Sequence, residues 1–159
     1  MYRSRANSGF SLIELLIVVA VILVIGAIAI PNYLQAKIRA NEAAAVANMR
    51  TIVSAQALYN TMFPEVGYAP DVKSLGSDGS NSALPTAAGL IGNDLAVAGH
   101  GYLLTIAARS NGQENIGFTV YGRPTVAGIT GRRGFCADES GVVTYSGDGS
   151  ANCSAPIPF

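Results

Sequence analysis

A single carboxylate in an otherwise uncharged run constrains this chain more than any other feature. Residues 9–36 contain one charged side chain, Glu14, five positions into the run. Residues 15–30 are aliphatic apart from alanine and glycine. As a helix, residues 10–30 are long enough to cross about 30 Å of hydrocarbon. An ionised group at membrane depth costs about 3 kcal/mol or more, so Glu14 needs a partner or a purpose. The preceding peptide, residues 1–9, carries Arg3 and Arg5. A cut between Gly9 and Phe10 would free the α-amino group of Phe10 close to the level of Glu14. The carboxylate would then have a cationic partner, best supplied by a neighbouring copy. The segment would be an anchor and an assembly device at once. A simple uncleaved single-pass anchor is the plainer alternative, but it has no use for Glu14.

The leader differs from an ordinary secretory signal, because no apolar region of its own precedes the proposed cut. The apolar stretch would be retained, and Arg3 and Arg5 would hold the leader in the cytoplasm with the rest of the chain outside. Only 13% of the 159 residues are charged, low for a soluble protein and fitting one globular domain on a membrane-inserted arm. Net charge is zero, and removing the two leader arginines leaves eight basic against ten acidic side chains. No basic cluster exceeds Arg132-Arg133, which argues against a dedicated nucleic-acid surface.

Helical pattern continues past the apolar run. Residues 37–59 are rich in alanine and free of glycine and proline. Ala45, Val46, Met49, Ile52, Val53 and Gln56 recur at three- and four-residue spacing and form one apolar stripe. Lys37, Arg39, Asn41, Glu42, Asn48 and Arg50 are assigned mainly to the other faces. One helix over residues 10–60 would be roughly 75 Å long at 1.5 Å per residue. Gly26 and Pro31 interrupt it, since proline removes a donor and clashes with the carbonyl of Ala27. Residues 26–31 are therefore the stretch most able to bend or unwind.

Residues 63–99 bring glycine, serine, asparagine and three prolines, which predict a long connection with one short helix near residues 90–97. Short β-prone runs follow at residues 102–108, 116–121, 134–137 and 142–145, separated by turn-like segments. Three or four antiparallel strands packed on the amphipathic half-helix are the economical α+β arrangement.

Gly9 followed by Phe10-Ser11-Leu12-Ile13-Glu14-Leu15-Leu16-Ile17-Val18-Val19, with Pro31 downstream, resembles the class III signal of type IV pilins and type II secretion pseudopilins. Residues 67–70 and Leu75 are also similar to the segment after the long helix in that superfamily. The resemblance implies a pilin-like α+β fold, a long N-terminal helical spine on a small antiparallel sheet with a C-terminal disulfide loop. It implies a leader at residues 1–9, an assembly helix at 10–36 and its amphipathic half at 37–62. An αβ-loop would fill 63–100, with sheet and C-terminal loop at 101–159. It further implies cleavage between Gly9 and Phe10 by a prepilin peptidase, N-methylation of Phe10, and a register role for Glu14 toward the Phe10 amine of an adjacent subunit. Loss of helix at Gly26 and Pro31 on leaving the membrane is a further implication.

Cys136 and Cys153 are the only cysteines. In a chain exported to an oxidising compartment one disulfide is the default, with two free thiols as the alternative. Type IV pilins often close a C-terminal loop with a bridge in this position. Asp138, Glu139 and Asp148 lie in that loop, and major pseudopilins carry calcium in their C-terminal region. Here the spacing matches no EF-hand, so solvated turn charges are the stronger reading and calcium the weaker one. His100 has no catalytic partner, Ser11 reads as a helix residue, and the glycine-arginine segments at 122–124 and 131–134 lack the context of a phosphate loop. Phe10, Tyr33, Tyr59 and Phe63 read as packing rather than an electron path. Neither an enzyme nor a cofactor is expected.

The leading expectation is a type IV pilus subunit, an inner-membrane precursor that polymerises into a surface filament of identical copies. Prepilin peptidase and a pilus assembly platform are the partners implied, with no nucleic acid expected for a major subunit. A major pseudopilin, acting as a periplasmic piston in secretion, is the runner-up. A low-copy minor pilin that binds DNA or an adhesive ligand is the third.

Overall fold

The computed structural model describes residues 10–80, 82–96, 100–150, 152, 153, 155 and 156. The expected leader, Gly9 included, lies outside the described residues. The chain divides into two compact units, Met1–Ala36 and Lys37–Phe159. One helix, α1 (Leu12–Met62), contributes to both.

In the first unit α1 is helical through Gly26 and Pro31. Pro31 costs the helix one donor. At the next residue the Asn32 amide bonds Ile28 O at 3.1 Å, one carbonyl along from the Ala27 O that Pro31 cannot reach with a donor. Gly26 is not enforced by crowding, because a Cβ there would meet only Ile30 Cδ1, at 3.9 Å.

The second unit is built on the polar-apolar patterning of the rest of α1. Ala45, Met49, Ile52, Ala55, Gln56 and Tyr59 are buried, and Val46 and Val53 are half-buried against the same core. The expected stripe is thus the packing face. Against it lies an antiparallel sheet in the order β1-β2-β3-β4-β5. The strands are β1 (Tyr102–Ser110), β2 (Asn115–Pro124), β3 (Gly134–Asp138), β4 (Val143–Ser146) and β5 (Ala155–Pro156). Four strands fall where alternation and turn residues put them, each within a few residues of the expected ends. The fifth, two residues paired with Thr144 and Tyr145, has no pattern long enough to read. Alternation places Tyr102, Leu104, Phe118, Val120, Phe135 and Ala137 inward, where all six join the core.

Among the described residues two short helices, not one, punctuate the connection between α1 and the sheet. The second of them in chain order, α3 (Asn93–Ala96), lies in the expected stretch. The other, α2 (Val72–Leu75), was not expected, although its start has a signal: the Asp71 carboxylate accepts from Ser74 N, which caps the turn. Gly67 joins this region to the sheet. Its φ of +79° is left-handed, and a Cβ there would sit 2.2 Å from Asn115 O, so only glycine fits.

Candidate assembly helix and the latch on its second half

Ser11 immediately precedes the first helical residue, and its backbone N–H donates to Glu14 Oε2 at 3.0 Å. Glu14 is therefore the third residue of the helix and reaches back over its own first turn. This is the return half of a capping box, in which a glutamate three residues past Ser or Thr satisfies an otherwise orphaned donor. Its signature in the sequence is Ser11-Leu12-Ile13-Glu14 ahead of an apolar run. Phe10, just ahead of the helix, is 83% exposed. The large apolar side chains from Leu12 to Leu34 are exposed as well, and α1 is long and apolar enough to cross a membrane. A contiguous apolar surface of this size requires lipid or other copies around it.

Cys136 and Cys153 form a disulfide, with Cα atoms 5.8 Å apart. It ties β3 to the segment leading into β5. Two of the three carboxylates in the loop it closes are engaged by their own turns, and the third by Arg109 of β1. Asp138 accepts from Ser140 Oγ and Ser140 N, Asp148 from Ser146 Oγ and Ser150 N, and Glu139 pairs with Arg109 at 2.7 Å. Hydrogen bonds from Ser140 hold the Asp138 carboxyl below its ordinary value, and bonds from Ser146 and Ser150 hold Asp148 at about 2. Among the described residues no group of three or more His, Cys, Asp or Glu side chains comes together. His100 is an exposed turn residue with φ of 55°.

The polar cluster that matters most to the second unit was not anticipated. Glu42, assigned by its charge to an outer face of α1, is only 5% exposed. Its Oε1 accepts from Arg132 N at 2.9 Å and Arg133 N at 3.2 Å, while Oε2 takes Arg133 Nε at 2.8 Å and the terminal guanidinium nitrogen at 2.7 Å. Burial pushes this carboxyl up, but the bonds from Arg132 and Arg133 and the charge of Arg133 outweigh it, so the group ends below its ordinary value. Asn41 reinforces the contact by donating to Thr130 O at 2.8 Å. Tyr102, fully buried, donates to Arg133 O at 2.7 Å, and burial pushes its phenol well up. Gly131 makes room for that ring, since a Cβ there would lie 2.0 Å from the phenol oxygen. The signal was spacing: Ile38, Glu42, Ala45, Met49, Ile52, Gln56 and Tyr59 alternate steps of four and three. Glu42 falls on the buried stripe, and its charge concealed that. A second buried polar member, Gln56, clamps Ala69 by donating to its carbonyl at 3.0 Å and accepting from its N–H at 2.8 Å.

A membrane-length helix headed by one carboxylate, continuing into an amphipathic spine under a small disulfide-tied antiparallel sheet, defines a pilin-like protein. Residues 4–30 match the family described as the prokaryotic N-terminal methylation motif. Over 72 residues the chain is 39% identical to the type IV major pilin protein PilA of Myxococcus xanthus, covering 41% of this chain and 33% of that protein. Over 55 residues it is 46% identical to the type IV wide pilus major component PilA4 of Thermus thermophilus, covering 35% of this chain and 42% of that one. The alignments thus span between a third and a half of the length of these curated relatives. No solved structure matches the chain significantly. The first part of the chain thus carries the N-terminal methylation motif and is similar to type IV major pilins.

Proposed function

We propose that this chain is a structural subunit of a type IV pilus. Its precursor sits in the inner membrane, is cut between Gly9 and Phe10 by a prepilin peptidase, and is methylated on Phe10. Copies then leave the bilayer for an extracellular filament, with residues 10–36 bundled at its core. The observation that carries this reading is the exposed apolar surface of α1 with its one carboxylate close to the start. Lipid can cover the apolar side chains, and an adjacent copy can offer Glu14 the cation that none of the described residues of its own chain supplies. Pairing with the Phe10 amine of an adjacent copy would fix axial register, a role for which buried polar pairs are suited. Gly26 and Pro31 supply the place where the helix would yield as it moves from lipid into the bundle. Similarity to two pilus major components favours a pilus over the secretion piston.

Mass spectrometry of sheared surface filaments tests the proposal. The dominant protein should begin with N-methylated Phe10, and filaments should vanish when the gene is deleted. Recovery of a chain still beginning at Met1, or loss of a secreted protein with filaments intact, would overturn it.

A further inference from the structure

The end of the second unit at which the chain enters it carries an apolar tip that packing inside the unit leaves uncovered. Residues 125–131, within the connection from β2 to β3, fold back on themselves. Gly128 N–H donates to Gly131 O at 2.8 Å, and Ile129 and Thr130 N–H donate to Val126 O at 3.2 and 3.0 Å. The turn is therefore well bonded, yet Ile129 is 68% exposed and Val126 48%. Among the described residues Ile129 is the most exposed large apolar side chain of this unit.

Its position is fixed by α1. Asn41 holds Thr130 O, Glu42 holds Arg132 N, and Ile38, a turn earlier on the same face, is buried. The loop therefore lies beside the first two turns of helix in its own unit. Asn41 is five residues past Ala36, where the uncharged run ends, so chain length alone keeps it within about 18 Å of that point. Lys37, Arg39 and Arg132 are exposed in the same stretch of chain and loop. The one acidic group there, Glu42, is neutralised by Arg133. Bulky apolar side chains flanked by Lys and Arg are what seats a segment at a bilayer surface, with the apolar groups entering the headgroup boundary and the cations meeting anionic lipid.

We propose that in the anchored precursor residues 125–131 insert Val126 and Ile129 into the bilayer surface, with Lys37, Arg39 and Arg132 on anionic headgroups. The sheet-bearing unit then touches lipid at a second point besides the span. This rests on the membrane-anchored precursor proposed above.

The chain contains no tryptophan, so Ile129→Trp introduces a unique reporter at an exposed site. Full-length precursor is reconstituted into phosphatidylethanolamine–phosphatidylglycerol vesicles with and without brominated acyl chains. Bromine within about 5–10 Å of the headgroup boundary should remove more than half of the Ile129→Trp emission, which should also be blue-shifted. Val142→Trp, at the opposite end of β3, should keep an aqueous spectrum and escape quenching. Phosphatidylcholine vesicles should give a smaller loss, since they offer no anionic headgroup. Ile129→Trp emission that stays aqueous and unquenched overturns the proposal. So does a blue shift without bromine quenching, which would mean that another copy covers the loop. Leu23→Trp, inside the apolar run, separates the two readings. If it is quenched while Ile129→Trp is not, only the loop assignment falls. If neither is quenched, the anchored precursor falls with it.

Discussion

Replacing Glu42 with alanine removes the carboxylate that joins the spine to the sheet. Four donors lose their acceptor at once: two backbone N–H groups and two nitrogens of the Arg133 guanidinium. Breaking one side of a buried ion pair costs about 3–5 kcal/mol. The Arg133 side chain remains 39% exposed, so water can reach the freed cation, and the lower end of that range, about 3 kcal/mol, applies. For a unit of this size such a loss lowers Tm by on the order of 10 °C. Glu42→Gln keeps an acceptor for the two N–H groups and gives up the charge, so about 1–2 kcal/mol is expected. The assay is thermal unfolding of the full chain in detergent, followed by tyrosine near-ultraviolet dichroism as a function of pH. The sign follows from the depressed folded value of Glu42. Its stabilisation is complete above the ordinary value of 4.5 and disappears as pH falls through the lower folded one. Wild type should therefore lose Tm below about pH 4.5 more steeply than Glu42→Gln does. An alanine variant melting within a degree or two of wild type, or equal acid sensitivity in Glu42→Gln, would refute the latch.

Gln56→Leu should cost about 2–3 kcal/mol, because Ala69 N–H and C=O are left unpaired in the core; faster hydrogen exchange at the Ala69 amide is the local readout. The double substitution Cys136→Ser, Cys153→Ser should remove about 3 kcal/mol in the loop-entropy account, and reductant should lower the wild-type Tm to that of the variant. Gly131→Ala forces a Cβ onto Tyr102 and should cost about 1–3 kcal/mol. Tyr102→Phe should cost about 1 kcal/mol through the lost bond to Arg133 O, and should not rescue Gly131→Ala, because the ring carbon itself lies 2.5 Å from the added Cβ. Urea titrations of the single and double variants measure both.

What could be read in advance was whatever leaves a periodic trace. The stripe from Ala45 to Gln56 and the alternation in β1 and β2 are repeated burial patterns, so helix face and strand direction were legible. The cysteine pair was legible because few alternatives existed. The αβ connection was less so: α2 is four residues long and is specified by a single cap at Asp71, a signal shorter than any period. β5 is specified by its partner strand and not by its own two residues. Glu42 failed for another reason. Spacing placed it inside and charge placed it outside, and the charge was given priority. A carboxylate on a buried stripe needs a cation from elsewhere in the fold, and Arg133, 91 positions away, cannot be assigned from spacing.

The two glutamates of α1 that interrupt apolar surfaces show how folding and assembly divide the same chemistry. Glu42 is enclosed by its own chain, and four donors from one loop saturate it, so the second unit needs nothing more to neutralise that charge. Glu14 has no such enclosure. Among the described residues Ser11 N–H is the one hydrogen-bond donor to it, through Oε2. That bond satisfies an orphaned helix donor but brings no positive charge. A carboxylate brought into lipid or into a bundle of apolar helices with a single neutral donor remains costly. The cation proposed for it is the Phe10 amine of a neighbouring copy, and Glu14 can receive it without surrendering Ser11, since a carboxylate accepts several donors. The cap and the register pair are therefore compatible: the first sets where the helix begins, and the second sets how far one helix slides along the next.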